Sequence, residues 1–410
     1  MPTYYGRALT QTLVELQGLR RSLVWILGLG AFGLAFSLTV VAAYLPPLLG
    51  EFTTSTTLIA LVLAAEGVFA LTLPVVIGPW SDTFHTPLGR RRPFMLVGIG
   101  PMAFCLSLIA FMPSFWTTAL IVFAFFFAYY VYEPPYRGLY PDVLPEARYG
   151  TSQGAQHVLR GVAIGAALVG GGFLFHAWEP FPFLAAAVIG PVACAVPIFF
   201  LRENGGHGRV FRGVRAYLAT SWDLFSADGR VRRFLVANAA WEGTFAAART
   251  FVVLYITVGL HESVAVSSLA LAAVAGGYTV AAVVAGRLAT QFGLAEVILL
   301  GSAVYGGGYL LGGLPTEWHM WFLAPIFVVA IAGGLVMTLA WGVLYSVMPE
   351  DQRGAAAGLA TTTKGFGLLV GPLLAGGAID VFGYRTLWPL CGVLIIAAMP
   401  LVAGLRTADR

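Results

Sequence analysis

Twelve apolar runs, each long enough to cross a membrane, occupy most of this 410-residue chain. A hydrocarbon core about 30 Å thick is crossed by about 20 helical residues, and a helix satisfies its own backbone hydrogen bonds there. Hydrophobic residues make up 59% of the chain and charged residues 10%, which argues against a soluble globular protein. We therefore predict an all-α integral membrane protein with twelve transmembrane helices. The runs lie near residues 22–48, 54–80, 93–112, 115–138, 151–176, 181–201, 232–258, 264–290, 295–314, 319–347, 355–379 and 386–405.

The distribution of arginine predicts how these helices are oriented. Lys and Arg are retained on the cytoplasmic side of a membrane. With both termini inside, the cytoplasmic segments hold the arginines of 20–21, 90–92 and 230–233, while the opposite side holds only Arg385. We expect a multi-pass protein of the cell membrane with both termini in the cytoplasm. The net charge of +4 reflects this topology, so the expected partner is the lipid bilayer and not a nucleic acid.

Composition and motifs argue against several other classes of protein. The three cysteines lie far apart within apolar runs, which predicts neither a disulfide framework nor a metal site. The chain has no nucleotide-binding loop and no polar segment long enough for a soluble catalytic domain. We therefore predict no cofactor, and neither an enzyme nor a pump driven by ATP hydrolysis.

The chain divides into two similar halves. Residues 144–161 and 348–365 share a pattern in which a Pro-Glu pair leads through two glycines to a cation followed by glycine. The longest polar stretch, 202–231, separates six spans from six, and its apolar residues recur at a spacing typical of an amphipathic helix on the cytoplasmic face. We predict a six-helix bundle over 1–201, a linker over 202–231 and a second six-helix bundle over 232–410. Two parallel copies of such a unit are typical of the major facilitator architecture, with its substrate site at the midplane between the halves.

The cations of the repeated pattern are Arg160 and Lys364, which is the only lysine in the chain. Each lies ten residues into its helix from Gly150 or Gly354, about 15 Å and therefore half of the bilayer core. An intramembrane charge is costly to insert and indicates a functional site. We expect these two cations to face each other across a central cavity.

A cytoplasmic loop carries the first family motif. Gly78-x-x-Ser81-Asp82 is followed by residues 89–93, Gly-Arg-Arg-Arg-Pro. This pattern resembles the loop motif of the major facilitator superfamily, in the form found in glycoside-pentoside-hexuronide cation symporters and sucrose-proton symporters. The resemblance implies a conformational latch in which the arginines bind carboxylates of neighbouring helices. Its members are Gly78, Asp82, Gly89, Arg90, Arg91 and Arg92.

Residues 129–141 on the fourth helix, with Glu133 before a Pro-Pro-Tyr, are similar to the pattern of the melibiose-type symporters. The resemblance implies that Glu133 is the acid these carriers use near the cation site. Arg137 matches the arginine of the plant-type sucrose carriers. Arg160 and Lys364 fall where the melibiose-type family has residues used in sugar binding and coupling. The resemblance therefore implies a small-molecule substrate, with a sugar as the preferred class.

Two departures from the family pattern affect coupling. No ionisable residue lies between Arg21 and Glu51, so the sugar-binding acid of the first helix is absent. The second-helix acids of the sodium-coupled members are replaced by Ala70 and Pro74, and Glu66 is the only acid on that helix. A sodium site needs several oxygen ligands, so we expect proton coupling in preference to sodium.

The interior charges define the candidate site. Asn238, Glu242 and Arg249 form one stripe at 100° per residue, and we expect Glu242 to interact with Arg249, either as a static pair that fixes helix packing or as a coupling pair. We expect Glu133 to be held by Arg160 or Lys364, either as a pair switched by protonation or as a static pair that fixes helix packing. Glu66 has no evident partner in sequence and is either a coupling group or a structural hydrogen-bonding group. Arg137 lies near the cytoplasmic end of its helix, where a long side chain can snorkel.

Together these features predict a monomeric secondary transporter that couples symport of a glycoside or small oligosaccharide to protons. The alternatives are an exporter or exchanger of an organic anion or acidic sugar, and a non-transporting or lipid-handling membrane protein. The candidate substrate-binding residues are Tyr129, Arg137, Gln156, Arg160, Asn238, Trp241, Trp341 and Lys364, and the candidate proton-coupling residues are Glu133, Glu66, Glu242, Arg249 and His157.

Overall fold

A computed structural model of the protein describes residues 3–83, 86–144, 149–201, 229–347 and 353–405, with a few positions between 219 and 226. Twelve α-helices follow one another in this part of the chain, which confirms the predicted all-α fold. They are α1 (Thr3–Gly50), α2 (Thr56–Thr83), α3 (Arg92–Leu108), α4 (Phe115–Val143), α5 (Tyr149–Ala177), α6 (Phe181–Phe200), α7 (Gly229–Leu254), α8 (Val264–Phe292), α9 (Leu294–Gly312), α10 (Leu323–Val347), α11 (Arg353–Phe382) and α12 (Leu387–Ala403).

Eleven of the described helices are long and apolar enough to cross a membrane. The exception is α7, which carries three arginines at 230–233 and the interior charges Glu242 and Arg249. The first helix begins at Thr3, well before the apolar run that starts near residue 22. Most of the 202–231 linker lies outside the described residues, and so does its predicted amphipathic helix. Phe225, which is described, packs against the core of the second half.

The two halves repeat one packing scheme. In the first half α1 packs against α5 and α6, α3 against α4 and α6, and α2 against α4. In the second half α7 packs against α11 and α12, α9 against α10 and α12, and α8 against α10. Adding six to each helix number of the first half therefore reproduces these packed pairs of the second, as expected for a duplicated unit inserted twice in the same orientation.

Successive helices run in opposite directions, which defines two ends of the bundle. The Arg233 guanidinium at the start of α7 donates a 3.3 Å hydrogen bond to the Gly404 carbonyl beyond α12, so both lie at one end. We call this the terminal end and the opposite one the distal end. Gly383, with φ of 84°, ends α11 at the distal end, and its N–H reaches back to the Ile379 carbonyl at 2.7 Å. A glycine in this conformation is a common helix terminator because it has no Cβ to clash.

The buried apolar residues show where the two halves meet. The largest cluster joins α1–α6 to the distal part of α7 and to α11. A second cluster contains the terminal-end part of α7 with residues from α8, α9, α10 and α12, and it includes no residue of the first half. Among the described residues, the halves therefore share one core towards the distal end, and the cluster at the terminal end of α7 joins only elements of the second half.

Glycines allow the closest approaches between these helices. A Cβ on Gly376 of α11 would lie 2.7 Å from the Thr56 carbonyl oxygen of α2, so the two backbones touch across the halves. A Cβ on Gly172 of α5 would overlap the Ser268 hydroxyl of α8. Both contacts are at the distal end, which is closed in this structure.

Candidate functional site

A buried ion pair connects the two halves near the middle of the bundle. The Glu66 carboxylate on α2 accepts a 2.5 Å hydrogen bond from the Arg249 guanidinium on α7. The Glu66 side chain is 3% exposed and that of Arg249 is 19% exposed. The expected pairing of Arg249 with Glu242 is wrong, because Arg249 reaches across to the other half and supplies the partner that Glu66 lacked in sequence.

A second ion pair lies within α4. The Arg137 guanidinium donates to the Glu133 carboxylate one helical turn away. The Glu133 side chain is 12% exposed, whereas that of Arg137 is 54% exposed. The expectation that Arg160 or Lys364 holds Glu133 is therefore wrong. The partner of Glu133 is Arg137, because the i to i+4 spacing already places this cation beside it. Arg137 likewise forms a pair and does not simply snorkel.

Three interior charges remain outside these two pairs. In the described part of the chain, Arg160, Lys364 and Glu242 take part in no hydrogen bond and no ion pair. The strongest electrostatic interaction of Lys364 is with Glu242 on α7, and it also interacts with Arg160, Arg137 and Glu133. The charges of both halves thus lie around one space. Because the two ion pairs are neutral, the three remaining groups leave this space with a net positive charge.

The other predicted binding residues have different environments. Tyr129 is 6% exposed and interacts electrostatically with Glu133, Arg160 and Glu66, so its ring lies among the charges. Asn238 donates a 3.0 Å hydrogen bond to the Thr363 hydroxyl, next to Lys364 in sequence.

Gln156 is partly buried one turn from Arg160 on α5. Trp241 has no exposed surface and lies in the core of the second half, so it is not part of the site. The side chains of His157 and Trp341 lie outside the part that the structure describes.

Two other tyrosines of α4 are structural. The Tyr132 hydroxyl donates a 2.8 Å hydrogen bond to the Cys194 carbonyl on α6, and the Tyr136 hydroxyl donates to the Leu27 carbonyl on α1. Both side chains are almost fully buried. They hold α4 against its neighbours and thereby set the direction in which Glu133 and Arg137 point.

The loop motif forms an ion-pair cluster at the terminal end. The Arg91 guanidinium contacts the Asp82 carboxylate and the Asp142 carboxylate, both at 2.8 Å, and Arg90 contacts Asp142 at 3.1 Å. Gly89 has φ of 107°, a conformation that suits glycine at this turn. Asp142 was not predicted from the sequence as a member of this cluster. Its position near the end of α4, on the same side of the membrane as the three arginines of the loop, could have indicated it. The role of this cluster as a conformational latch stays a prediction.

Known proteins resemble this chain along most of its length. The family model of the Major Facilitator Superfamily matches residues 27–258 and again 234–410. The tetracycline resistance protein, class G, of Vibrio anguillarum is 26% identical over 85% of this chain and 87% of its own length. An uncharacterized MFS-type transporter of Mycobacterium tuberculosis is 32% identical over 26% of this chain and 18% of its own length.

Solved structures share the fold at low sequence identity. A mutant form of the nucleoside transporter NupG superposes with a TM-score of 0.75 at 13% identity, covering 95% of this chain and 99% of that one. A bacterial homolog to the human lysosomal transporter Spinster, inward-facing and occupied, gives a TM-score of 0.73 at 14% identity over 95% of this chain and 97% of that one. With the family match spanning nearly the whole chain and the duplicated six-helix halves, the protein belongs to the major facilitator superfamily of membrane transporters.

Proposed function

We propose that this transporter carries a small organic anion, such as a sugar acid, together with a proton. The observation that carries the proposal is the pair of cations, Arg160 and Lys364, that face the space between the halves without a hydrogen-bonded partner among the described residues. Only Glu242 balances them, so a bound anion would neutralise the surplus charge. A neutral solute would leave it uncompensated.

Glu242 supplies a route to proton coupling. Its electrostatic interaction with Lys364 is the strongest that Lys364 makes. An anionic substrate competes with the Glu242 carboxylate for this ammonium group, and a proton on Glu242 removes the competition. Anion and proton therefore bind best together, which is the requirement for symport.

The direction of transport follows from how this cycle is driven. With both termini in the cytoplasm, the distal end, where the halves are in contact, faces outwards. An inward proton gradient then drives uptake. Export is the alternative, in which the proton and the solute move in opposite directions.

Uptake of a neutral glycoside with protons is the second candidate. It is supported by the resemblance of residues 129–141 and of Lys364-Gly365 to the melibiose-type symporters. In that case Arg160 and Lys364 would donate hydrogen bonds to hydroxyl groups, and Tyr129 would provide an apolar face for the ring.

Proteoliposome uptake under an imposed pH gradient tests these proposals. A hexuronic acid and the corresponding neutral hexose are compared as radiolabelled solutes, in the parent protein and in Lys364→Gln and Arg160→Gln. We expect gradient-driven accumulation of the acid, reduced at least about tenfold in either variant, which corresponds to about 1.4 kcal/mol of lost interaction.

The matched control is Glu262→Gln, which removes a charge from the distal-end segment between α7 and α8, outside the group of interior charges. Gradient-driven accumulation of the hexose, without accumulation of the acid, would contradict anion transport and favour the second candidate. Accumulation against the gradient only in inverted vesicles would favour the exporter. No flux of any solute would favour the lipid-handling alternative.

A further inference from the structure

One carboxylate at the distal end holds α2 and α11 together across the halves. Asp380, at the end of α11, accepts hydrogen bonds from the backbone N–H groups of Thr56 and Thr57 at 2.6 and 3.0 Å. It also accepts from the hydroxyl groups of Ser55 and Thr56 at 2.9 and 2.7 Å. Four donors of the first half therefore converge on one side chain of the second.

The two N–H groups belong to the first turn of α2. The first four N–H groups of any helix have no acceptor within that helix, and a negative charge near them is stabilised by the helix dipole. In most helices a residue just before the first turn supplies this acceptor. In α2 the preceding residue, Ser55, accepts a 3.3 Å hydrogen bond from the Leu58 N–H. The N–H groups of Thr56 and Thr57 have their acceptor in Asp380, which is more than 300 residues away in sequence. This second part of the cap requires the halves to be in contact at this end.

The surrounding contacts show that a separation of α2 from α11 would break all of the hydrogen bonds between Asp380 and the first half. The Thr56 hydroxyl also lies 2.7 Å from the Gly376 carbonyl, one turn before Asp380 on α11. A Cβ on Gly376 would lie 2.7 Å from the Thr56 carbonyl oxygen, so no water layer separates the helices here. Alternating access requires the distal end to open by moving one half against the other. That movement separates α2 from α11 and removes the Asp380 part of the α2 cap, while the Ser55 hydroxyl still accepts from the Leu58 N–H.

We propose that Asp380, together with Ser55, Thr56 and Thr57, forms a distal latch that holds the transporter in the state closed at the distal end. The stability of the latch therefore sets the ratio of distal-open to distal-closed transporters. The latch acts on the rocking of the halves that the fold provides, so it is independent of the nature of the substrate and of the coupling ion.

Distance measurement by pulsed electron paramagnetic resonance tests the latch. Spin labels are placed on Trp178→Cys and Leu314→Cys, which are exposed distal-end positions in the first and the second half. The three native cysteines are buried, so labelling is directed to the introduced pair. We expect the Asp380→Asn variant in liposomes to raise the ratio of distal-open to distal-closed distances at least about tenfold, because the amide is uncharged and has one acceptor oxygen in place of two.

Two further variants make the test decisive. Ser55→Ala removes one hydrogen bond to Asp380, together with the local bond that the Ser55 hydroxyl accepts from the Leu58 N–H. It is expected to shift the same ratio in the same direction by a smaller factor, which decides the question should Asp380→Asn fail to fold. Glu262→Gln, a charge removal at the same end without a bond across the halves among the described residues, is expected to leave the ratio unchanged. Unchanged distance distributions in Asp380→Asn and Ser55→Ala, with or without a lower unfolding temperature, would overturn the proposal and make Asp380 a structural cap only.

Discussion

Separating the partners of the ion pair between Glu66 and Arg249 has a calculable cost. At about 4 Å between charge centres and an effective dielectric constant near 20, the attraction is about 4 kcal/mol. Glu66 is 3% exposed and Arg249 is 19% exposed, so the carboxylate is the group that water reaches least. Arg249→Gln should therefore lower the free energy of unfolding by about 3–5 kcal/mol. Glu66→Gln should cost less, about 1–3 kcal/mol, because the guanidinium is the more exposed partner and can turn towards water.

The double variant distinguishes pairing from simple loss of packing. With both groups replaced by glutamine no buried charge remains, and the destabilisation should fall to about 1 kcal/mol. The coupling energy is then at least about 3 kcal/mol, measured by equilibrium unfolding of the four proteins in mixed detergent micelles. Glu262→Gln, a half-buried carboxylate with no ion pair among the described residues, serves as a control and should change stability by less than about 0.5 kcal/mol. Additive effects of the two single changes would refute the assignment of Glu66 and Arg249 as a coupled pair between the halves.

Two further predictions concern helix packing and pH. A Cβ on Gly371 of α11 would overlap the Gly243 carbonyl of α7, so Gly371→Ala should destabilise the protein by about 1–3 kcal/mol in thermal unfolding. Gly377→Ala, whose Cβ would meet nothing within 4 Å, should be neutral, and equal losses in both would contradict this packing. Burial and then the neighbouring Glu179 raise the pKa of Glu51 at the distal end. Because the folded-state pKa lies above the unfolded one, the contribution of Glu51 to stability is present at low pH and is lost as pH rises through the folded value. Glu51→Gln should accordingly raise the unfolding temperature at pH 7 but not at pH 4, and a pH-independent difference would contradict it.

Hydropathy alone was sufficient to predict the helices. Each apolar run of 20 or more residues must be helical in a bilayer, because no other open structure satisfies the backbone there. The structure has a helix at every one of the twelve runs, including α7, whose charges make it less apolar than the other eleven. The repeat of residues 144–161 and 348–365 also predicted the duplication, which the structure has as the same packing scheme in both halves.

The sequence by itself therefore determined the number of helices and the duplicated fold, since these depend on local composition and on distance along the chain. It also predicts the depth of Arg160 and Lys364 in the membrane. Only the tertiary structure decided which charges pair. Helical spacing shows which face a side chain occupies but not which face of another helix lies opposite. That is why Glu66 with Arg249 and Asp380 with the start of α2 could not be predicted. Both connect helices from different halves, and their distance is set by how the halves are packed.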